Sequence, residues 1–245
     1  MQQLISKVIK FFLPPEKIWE IKNMHNIPSM EWSINNLKKL GFESKYAIDV
    51  GAYDGEWSKM FKYIFPNSQI VMIEAQTSKD LVLKQVAKDL KNTSYHIALL
   101  GAEHGKEVVF NINSTVSSVL VEHTPNDFIK ETRQTETVDN ILSSKDARHF
   151  PDFIKLDVQG YELEVLKGSN MALNTIQFIL CEVSLIDINK NSPLITDIFN
   201  FLDSRGFIPY DICSFIRRPF DLSLWQSDIL FIRKDHPLTK IKSWN

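Results

Sequence analysis

Residues 46–56, with the sequence YAIDVGAYDGE, decide the fold of this chain. An apolar run stops abruptly at Gly51, and a second glycine, Gly55, opens a segment whose apolar residues have helical spacing. The pattern predicts a strand, a tight turn and a helix. A glycine at position 51 allows a sharp turn and a close approach of a ligand to the backbone. Asp49 would place a carboxylate beside that ligand, although such a loop is equally consistent with glycines used for geometry alone.

A second apolar run, residues 68–74, also ends in an acid, Glu74. It follows the first run at the distance that a strand-helix-strand crossover requires. In doubly wound sheets that bind nucleotides, an acid at the end of the second strand accepts hydrogen bonds from ribose hydroxyls. The two runs together therefore predict a site for a nucleotide-like cofactor.

A third stretch, residues 152–168, reads DFIKLDVQGYELEVLKG. Together with the DVGAxxG pattern of residues 49–55, it resembles the FkbM family of S-adenosylmethionine-dependent methyltransferases, whose second motif is close to IKIDVEGxExxVLKG. The resemblance runs from about residue 46 to residue 232. Gln159 stands where that family commonly has glutamate.

The resemblance implies an α/β fold of the class I methyltransferase (Rossmann-like) type. This fold has a seven-stranded sheet with an antiparallel last strand, in an αβα sandwich. Residues 45–245 are expected to form the S-adenosylmethionine-binding methyltransferase domain. Residues 1–44 are expected to form an N-terminal helical extension, with helices at 16–24 and 29–40 that could flank or cover the active face.

S-adenosylmethionine is the cofactor that the resemblance implies, and the strand ends supply its candidate contacts. An apolar slot near the start of the third predicted strand, residues 92–100, would suit the adenine ring. His96 there is as readily explained as an ordinary strand residue. The candidate cofactor-binding residues are Asp49, Gly51, Ala52, Asp54, Gly55, Glu74, Ala75, His96 and Ile97.

Three acids near the ends of later strands are the candidate catalytic residues: Asp157, Glu162 and Glu182. A hydroxyl group attacks a sulfonium methyl poorly unless its proton is removed, and a carboxylate in hydrogen-bond reach can act as the general base. Alternatively, the same three acids could hold a divalent metal that lowers the pKa of the hydroxyl. It is also consistent with the sequence that Asp157 caps a turn or contacts the cofactor, or that Glu182 pairs with Lys155 or an arginine for structure alone.

Further candidates lie outside the two motifs. The insertion at residues 101–141 could carry substrate-facing residues, with Ser117, Ser118 and His123 as candidates. Arg217 and Arg218 could hold a phosphate or carboxylate of the substrate, although a solvated basic pair explains them as well.

The bulk composition limits the partners. The chain has 245 residues, 24% charged residues and a net charge of −2, which gives no electrostatic footprint for nucleic acid. Its two cysteines, Cys181 and Cys213, favour a reducing cytoplasm. Residues 1–13 are too short an apolar stretch for a transmembrane helix. An amphipathic segment of this kind could pack on the domain or on a partner chain, or make weak contact with a membrane surface. The oligomeric state is not predicted.

The expected function is transfer of a methyl group to a hydroxyl of a sugar, glycan or secondary metabolite, because the acceptors of the resembling family are often of these kinds. An NAD-dependent oxidoreductase is the alternative enzyme class, since the first strand, turn and acid would serve either cofactor. The loop lacks G-x-G-x-x-G spacing, however, because Ala52 and Tyr53 follow Gly51. A non-catalytic Rossmann-like binding protein is the third hypothesis.

Overall fold

The computed structural model describes residues 13–112, 117–121, 123, 129–143 and 150–244. The predicted membrane-surface contact at the N-terminus falls on residues outside these ranges, except for Leu13. No helix in the described ranges is long and apolar enough to cross a membrane.

The described residues form two sheets with helices packed against them. The strands are β1 (Tyr46–Val50), β2 (Gln69–Glu74), β3 (Thr93–Ile97), β4 (Leu99–Leu100), β5 (Glu107–Ile112), β6 (Ile129–Glu136), β7 (Phe153–Leu156), β8 (Phe178–Ser184), β9 (Phe207–Ile212), β10 (Ile216–Arg217) and β11 (Leu224–Arg233). The α-helices are α1 (Pro15–Met24), α2 (Met30–Lys39), α3 (Glu56–Ile64), α4 (Asp80–Asp89), α5 (Val138–Ser143), α6 (Glu162–Lys167) and α7 (Ile195–Ser204).

The main sheet has the strand order β3-β2-β1-β7-β8-β11, and both β9 and β10 pair with β11. Neighbours from β3 to β8 run parallel, whereas β11 runs antiparallel to β8. β10 has only two residues, so seven longer strands make up the sheet. The predicted class I methyltransferase fold, with its antiparallel last strand, is confirmed.

Both faces of this sheet are covered, which explains why its central strands are apolar throughout. All five residues of β1 are buried. Ile48 and Val50 belong to a core cluster shared with α5, α6 and α7, whereas Ala47 belongs to a second cluster shared with α1 to α4. The result is the predicted αβα sandwich.

The N-terminal helices pack on the sheet face that also carries α3. Trp19, Ile34 and Leu37 are buried in that face's core cluster. The Ser33 hydroxyl donates to Asp211 Oδ2 at the end of β9 over 2.6 Å. The helices therefore flank the sheet, and residues 13–44 contribute none of the residues that line the cavity described below.

The insertion between β3 and β7 builds a small sheet of its own, with the order β4-β6-β5. The predicted third strand, residues 92–100, is split at Ala98. β3 stays in the main sheet, and β4 leaves it to pair in parallel with β6. This departure places the insertion beside the carboxyl ends of the main strands.

Candidate functional site

A cavity of about 250 Å³ lies at the carboxyl ends of β1, β2 and β7. Ligands in open α/β sheets bind outside the carboxyl ends of the strands, near the point where strand order reverses. β1 is that point here, because β2 and β7 flank it. The cavity is lined by Val50, Gly51, Tyr53, Ile73, Glu74, Ala75, Gln76, Ala98, Leu99, Leu100, Phe110, Ser117, Ser118, Val119, Asp157, Val158, Gln159 and Tyr161.

Gly51 makes the turn at the end of β1, with a φ of +73°. A Cβ atom at this position would lie 1.8 Å from the backbone oxygen of Asp157. The glycine is therefore required by the close packing of the β1 turn against the end of β7, as well as by its left-handed backbone. Gly55, the second glycine of the motif, caps α3 and packs against Val86 and Met72.

Glu74 forms one wall of the cavity and is held by two backbone amides. Its Oε2 accepts from Tyr53 N over 2.8 Å, and its Oε1 accepts from Gln76 N over 2.8 Å. Burial raises the pKa of this carboxyl, and the two backbone N–H donors partly offset the increase. Because each carboxylate oxygen has two lone pairs, both retain acceptor capacity for a ligand.

Tyr53 is fixed at the cavity by its neighbours. Its φ is +47°, which a tyrosine rarely adopts. The Lys79 ammonium lies 3.2 Å from the centroid of its ring and 2.8 Å from Asp54 Oδ1. Asp54 thus contacts Lys79, and it does not itself line the cavity.

Asp49 is fully buried beneath the cavity. Its Oδ2 accepts from the Ser58 hydroxyl over 2.7 Å. Its Oδ1 lies 3.3 Å from Lys155 Nζ, an ion-pair contact without the alignment of a hydrogen bond. Asp49 is not among the cavity-lining residues, so its direct contact with a cofactor stays a prediction.

Lys155 connects the ends of β1 and β7. Its Nζ donates to the backbone oxygens of Gly51 (2.8 Å) and Val50 (3.2 Å) and lies 3.6 Å from Asp157 Oδ2. Burial alone would lower the pKa of this ammonium, but the carboxylates of Asp49 and Asp157 outweigh burial and raise it. Lys155 is therefore a buried cation, a role that its position inside an apolar run does not reveal.

Asp157 is the acid that opens onto the cavity, with 39% of its side chain exposed. Its Oδ1 accepts from Gln159 Nε2 over 3.0 Å. The Lys155 ammonium on one side and the Gln159 amide on the other hold the carboxylate in place. Of the three candidate catalytic acids, it is the one that lines the cavity.

Glu182 lies behind Asp157, buried, and is held by side-chain amides. Its Oε2 accepts from Gln159 Nε2 (3.2 Å) and Gln226 Nε2 (2.9 Å). Burial raises the pKa of Glu182 well above its ordinary value, and the nearby Asp157 and Glu162 raise it further. The structural pairing with Lys155 is not formed within 4.0 Å: the ion-pair partners of Lys155 are Asp49 and Asp157.

Glu162 stabilises the loop between β7 and α6. Its Oε1 accepts from the backbone amides of Val158 (2.8 Å) and Gly160 (3.2 Å). Burial and the Asp157 charge raise the pKa of Glu162 to about 7. The carboxyl is thus directed at the backbone of the loop that carries Asp157 and Gln159.

The insertion covers one side of the cavity. Asn111 is buried, and its Nδ2 donates to the backbone oxygens of residues 118, 119 and 120. Ser118 Oγ in turn donates to Gln159 O over 2.8 Å. Ser117 and Ser118, two of the predicted substrate-facing residues, line the cavity.

Among the nine predicted cofactor-binding residues, Gly51, Glu74 and Ala75 line the cavity. Ala52, Gly55 and Asp54 lie in the turn behind it. Ile97 packs into the core cluster of the α3 face, and the wall beyond β3 is made by Ala98, Leu99 and Leu100 instead. His96 is in β3 opposite Ile73. Roles for the residues outside the lining stay predictions.

His123, Arg217 and Arg218 lie away from the cavity lining. His123 is exposed, with Nε2 3.7 Å from Asp187 Oδ2. Arg218 makes two hydrogen bonds to Asp221, and Arg217 donates to the backbone oxygen of Leu222. Their predicted functional roles find no geometric support.

The predicted metal set of Asp157, Glu162 and Glu182 is not assembled as a group of ligands. Across the described ranges, no three or more His, Cys, Asp or Glu side chains are arranged to hold a metal ion. The physical reason is that Glu162 Oε1 accepts from loop amides, whereas Glu182 Oε2 accepts from glutamines.

A family model described as "Methyltransferase FkbM domain" matches residues 49–209, which is more than half of the chain. The chain belongs to the FkbM methyltransferase family. The matched region of this FkbM protein contains both motifs, the insertion and all three candidate catalytic acids. It is therefore an S-adenosylmethionine-dependent methyltransferase, as the resemblance implied.

Solved structures of low identity are similar to this FkbM protein. A precorrin-6y C5,15-methyltransferase from Geobacter metallireducens is 12% identical, with 82% of this chain and 86% of that chain covered and a TM-score of 0.46. Burkholderia thailandensis 1,6-didemethyltoxoflavin-N1-methyltransferase is 10% identical, with coverages of 88% and 83% and a TM-score of 0.47. Aeropyrum pernix fibrillarin is 13% identical, with coverages of 82% and 74% and a TM-score of 0.48. No protein of curated function matches the chain.

The cavity fits the cofactor by the chemistry of its donors and walls. A ribose needs hydrogen-bond acceptors for its hydroxyls, and Glu74 is a buried carboxylate with acceptor capacity on both oxygens. An adenine ring needs an apolar slot, which Ala98, Leu99 and Phe110 provide. The sulfonium of the cofactor is cationic, and Asp157 adds a second carboxylate to the lining of the cavity.

Proposed function

We propose that the protein transfers the methyl group of S-adenosylmethionine to a hydroxyl oxygen, with Asp157 as the general base. The observation that carries the proposal is the environment of Asp157. It is the candidate acid that faces the cavity, and its carboxylate is held between the Lys155 ammonium and the Gln159 amide.

The protein has to remove the proton of the acceptor hydroxyl, because the cofactor itself supplies the reactive methyl group. Bound S-adenosylmethionine supplies an electrophilic methyl group on a sulfonium. An acceptor hydroxyl beside Asp157 would lose its proton to the carboxylate as the oxygen attacks, and general-base assistance of this kind contributes roughly 10²–10⁴-fold. Lys155, fixed by backbone oxygens of the β1 turn, holds this carboxylate in place from one side.

The cofactor contacts are proposed on the same geometry. Glu74 would accept hydrogen bonds from the ribose hydroxyls, and Gly51 and Ala75 would contact the cofactor through their backbones. Asp49, Ala52, Asp54, Gly55, His96 and Ile97 would support that binding from behind the cavity wall. Glu162 and Glu182 would support Asp157 rather than touch the acceptor, since neither lines the cavity.

The acceptor is proposed to be a small molecule or glycan that carries hydroxyl groups. The support comes from polar residues of the cavity lining, because Ser117 and Ser118 line the same cavity as Asp157. A sugar or a hydroxylated secondary metabolite would present its hydroxyls to such a surface.

Two further proposals concern the whole chain. We place the boundary between the helical extension and the methyltransferase domain at residue 44, just before β1. We also propose a reducing compartment, the cytoplasm, because both cysteines are free and buried. Burial raises the pKa of the Cys213 thiol to about 12.

The variant Asp157→Asn tests the catalytic proposal. A screen of hydroxylated acceptors with S-adenosylmethionine, followed by S-adenosylhomocysteine release, would first identify an acceptor. Asp157→Asn should then lower kcat by at least about 100-fold, whereas its affinity for S-adenosylhomocysteine should stay within about threefold of wild type.

The matched control is Asp187→Asn, which removes an exposed carboxylate on the loop after β8. It should leave kcat unchanged. An Asp157→Asn protein that binds cofactor normally and keeps wild-type kcat would refute the role of Asp157. Loss of cofactor binding together with activity would instead make Asp157 a cofactor ligand.

A further inference from the structure

Gln159 links more chain segments at the site than any single candidate acid does. Its backbone oxygen accepts from Ser118 Oγ in the insertion (2.8 Å) and from Asn189 Nδ2 in the loop after β8 (3.1 Å). Its backbone is left-handed, with φ at +55°. A residue held by both its backbone and its side chain has a fixed position.

The side-chain amide of Gln159 is shared between two carboxylates. Nε2 carries two hydrogens, and it lies 3.0 Å from Asp157 Oδ1 and 3.2 Å from Glu182 Oε2. One donor group thus satisfies one oxygen of each acid. Without it, Asp157 Oδ1 and Glu182 Oε2 would each lose a donor, and a carboxyl group that loses a donor loses free energy of stabilisation.

The positive charge available at this place is limited. Lys155 lies within 4.0 Å of Asp49 and Asp157, and the described residues contain no ion pair to Glu182. Elsewhere in proteins, a divalent cation commonly bridges carboxylates that converge in this way. Here the amide hydrogens of Gln159 lie between them.

We propose that the amide of Gln159 takes the place of a bridging cation between Asp157 and Glu182, and so positions Asp157 for proton abstraction without a metal ion. The inference rests on the proposed function of Asp157. Gln159 is a positioning residue, because its side chain acts through Asp157.

The geometry makes a specific prediction for Gln159→Glu. In that variant a carboxylate oxygen replaces Nε2, about 3 Å from an oxygen of each of the other two acids. Oxygens that ligate a small divalent cation at 2.0–2.1 Å in octahedral geometry lie about 3 Å apart. Gln159→Glu would therefore complete a set of three carboxylate ligands.

The experiment is a calorimetric titration with MnCl₂ alone, followed by thermal unfolding with and without 1 mM MnCl₂. Gln159→Glu should bind Mn²⁺ at least about tenfold more tightly than wild type, and Mn²⁺ should raise its Tm. Adding Glu182→Gln to this variant should abolish the gain. A variant with normal cofactor affinity and no Mn²⁺ response would overturn the proposal.

Gln226→Glu is the matched control. Gln226 also donates to Glu182 Oε2 and is buried, but its amide does not bridge to Asp157. The variant adds the same charge beside the same glutamate, so an equal gain in Mn²⁺ affinity would show a general charge effect and overturn the proposal. If Gln159→Glu does not fold in the presence or absence of Mn²⁺, the effect of Mn²⁺ on the wild-type protein tests the proposal instead.

In the wild-type arm, Mn²⁺ should leave both Tm and affinity for S-adenosylhomocysteine unchanged. A Mn²⁺ effect that Asp157→Asn removes would overturn the proposal, and the absence of an effect supports it. The MnCl₂ titrations and the Tm measurements use no cofactor, so their outcomes are separate from the proposed function. Failure of wild type to bind S-adenosylhomocysteine would refute the function and leave the Mn²⁺ comparison readable.

Discussion

Two buried glutamates at the same edge of the sheet are held in different ways. Glu74, the last residue of β2, accepts from two backbone amides, whereas Glu182, near the end of β8, accepts from the side chains of Gln159 and Gln226. Backbone donors are set by the path of the loop. Side-chain donors can be exchanged by single substitutions.

The difference separates the site into two parts. The proposed cofactor side, at β1 and β2, derives its geometry from tight backbone packing. The proposed acceptor side, at β7 and β8, derives its geometry from a network of charged and amide side chains. Backbone changes should therefore damage the first part most, and changes of charge or hydrogen bonding should alter the second.

Gly51→Ala should have the largest effect, because it attacks the backbone packing of the cofactor side. Its Cβ would lie 1.8 Å from the Asp157 backbone oxygen, and its positive φ adds strain. We expect a loss of more than about 3 kcal/mol in the free energy of unfolding, measured in urea by circular dichroism. Gly105→Ala is the control, since Gly105 has a φ of +77° and no atom within 4 Å of its Cβ position. It should lose only about 1 kcal/mol, and equal losses would contradict the packing argument.

Glu74→Gln should weaken binding of S-adenosylhomocysteine by about 10- to 100-fold, or roughly 1.4–2.7 kcal/mol. The glutamine would place an NH₂ group against one of the two backbone donors and remove an acceptor for the ribose. The comparison is with Glu182→Gln, which should change this affinity less than about threefold. Calorimetry on both variants measures the two affinities. Equal losses of affinity would show that the two parts of the site are not separate.

Glu162→Gln should change how stability depends on pH. The folded-state pKa of Glu162 is about 7, raised from 4.5 chiefly by burial. The folded protein therefore keeps this proton between pH 4.5 and 7 while the unfolded chain releases it. The contribution of protonated Glu162 to the stability of the fold is fully present below pH 4.5 and is lost as the pH rises through 7.

The glutamine keeps an acceptor for the loop amides but does not titrate. Between pH 5 and pH 8, the wild-type protein should lose on the order of 2 kcal/mol of unfolding free energy that the variant does not lose. Urea unfolding at the two pH values measures this difference. Stability curves that stay parallel would mean that Glu162 titrates at its ordinary pKa.

His123→Ala should have the smallest effect, since it belongs to neither side of the site. The His123 and Asp187 side chains are 56% and 61% exposed, and exposed pairs contribute little. Stability should change by less than about 0.5 kcal/mol and affinity for S-adenosylhomocysteine by less than twofold. A larger loss of affinity in calorimetry would show that His123 contributes to the site.

The fold could be predicted largely because its signals are local. The run to Gly51 and the helical spacing after Gly55 correspond to β1 and α3, and residues 68–74 correspond to β2. β6 was not predicted, because its sequence IKETRQTE is largely polar and forms the middle of a small, exposed sheet. The split of the third strand at Ala98 depends on pairing with β6, which lies about 30 residues later in the chain.

The site was predictable only in part, because several of its contacts join distant segments. The acids at strand ends could be assigned to one edge from the order of the strands. That Lys155 pairs with Asp49, or that Gln159 bridges Asp157 and Glu182, depends on the spacing of side chains across neighbouring strands. Gln159 was visible in the sequence as a departure from the family pattern, but its hydrogen bonds were not.

The most direct test of the cavity's role is calorimetric titration of the wild-type protein with S-adenosylhomocysteine and, separately, with NAD, with Glu74→Gln as the control. We expect micromolar binding of S-adenosylhomocysteine that Glu74→Gln weakens, and no binding of NAD. Binding of NAD without binding of S-adenosylhomocysteine would contradict the assignment of the cavity to the methyl donor.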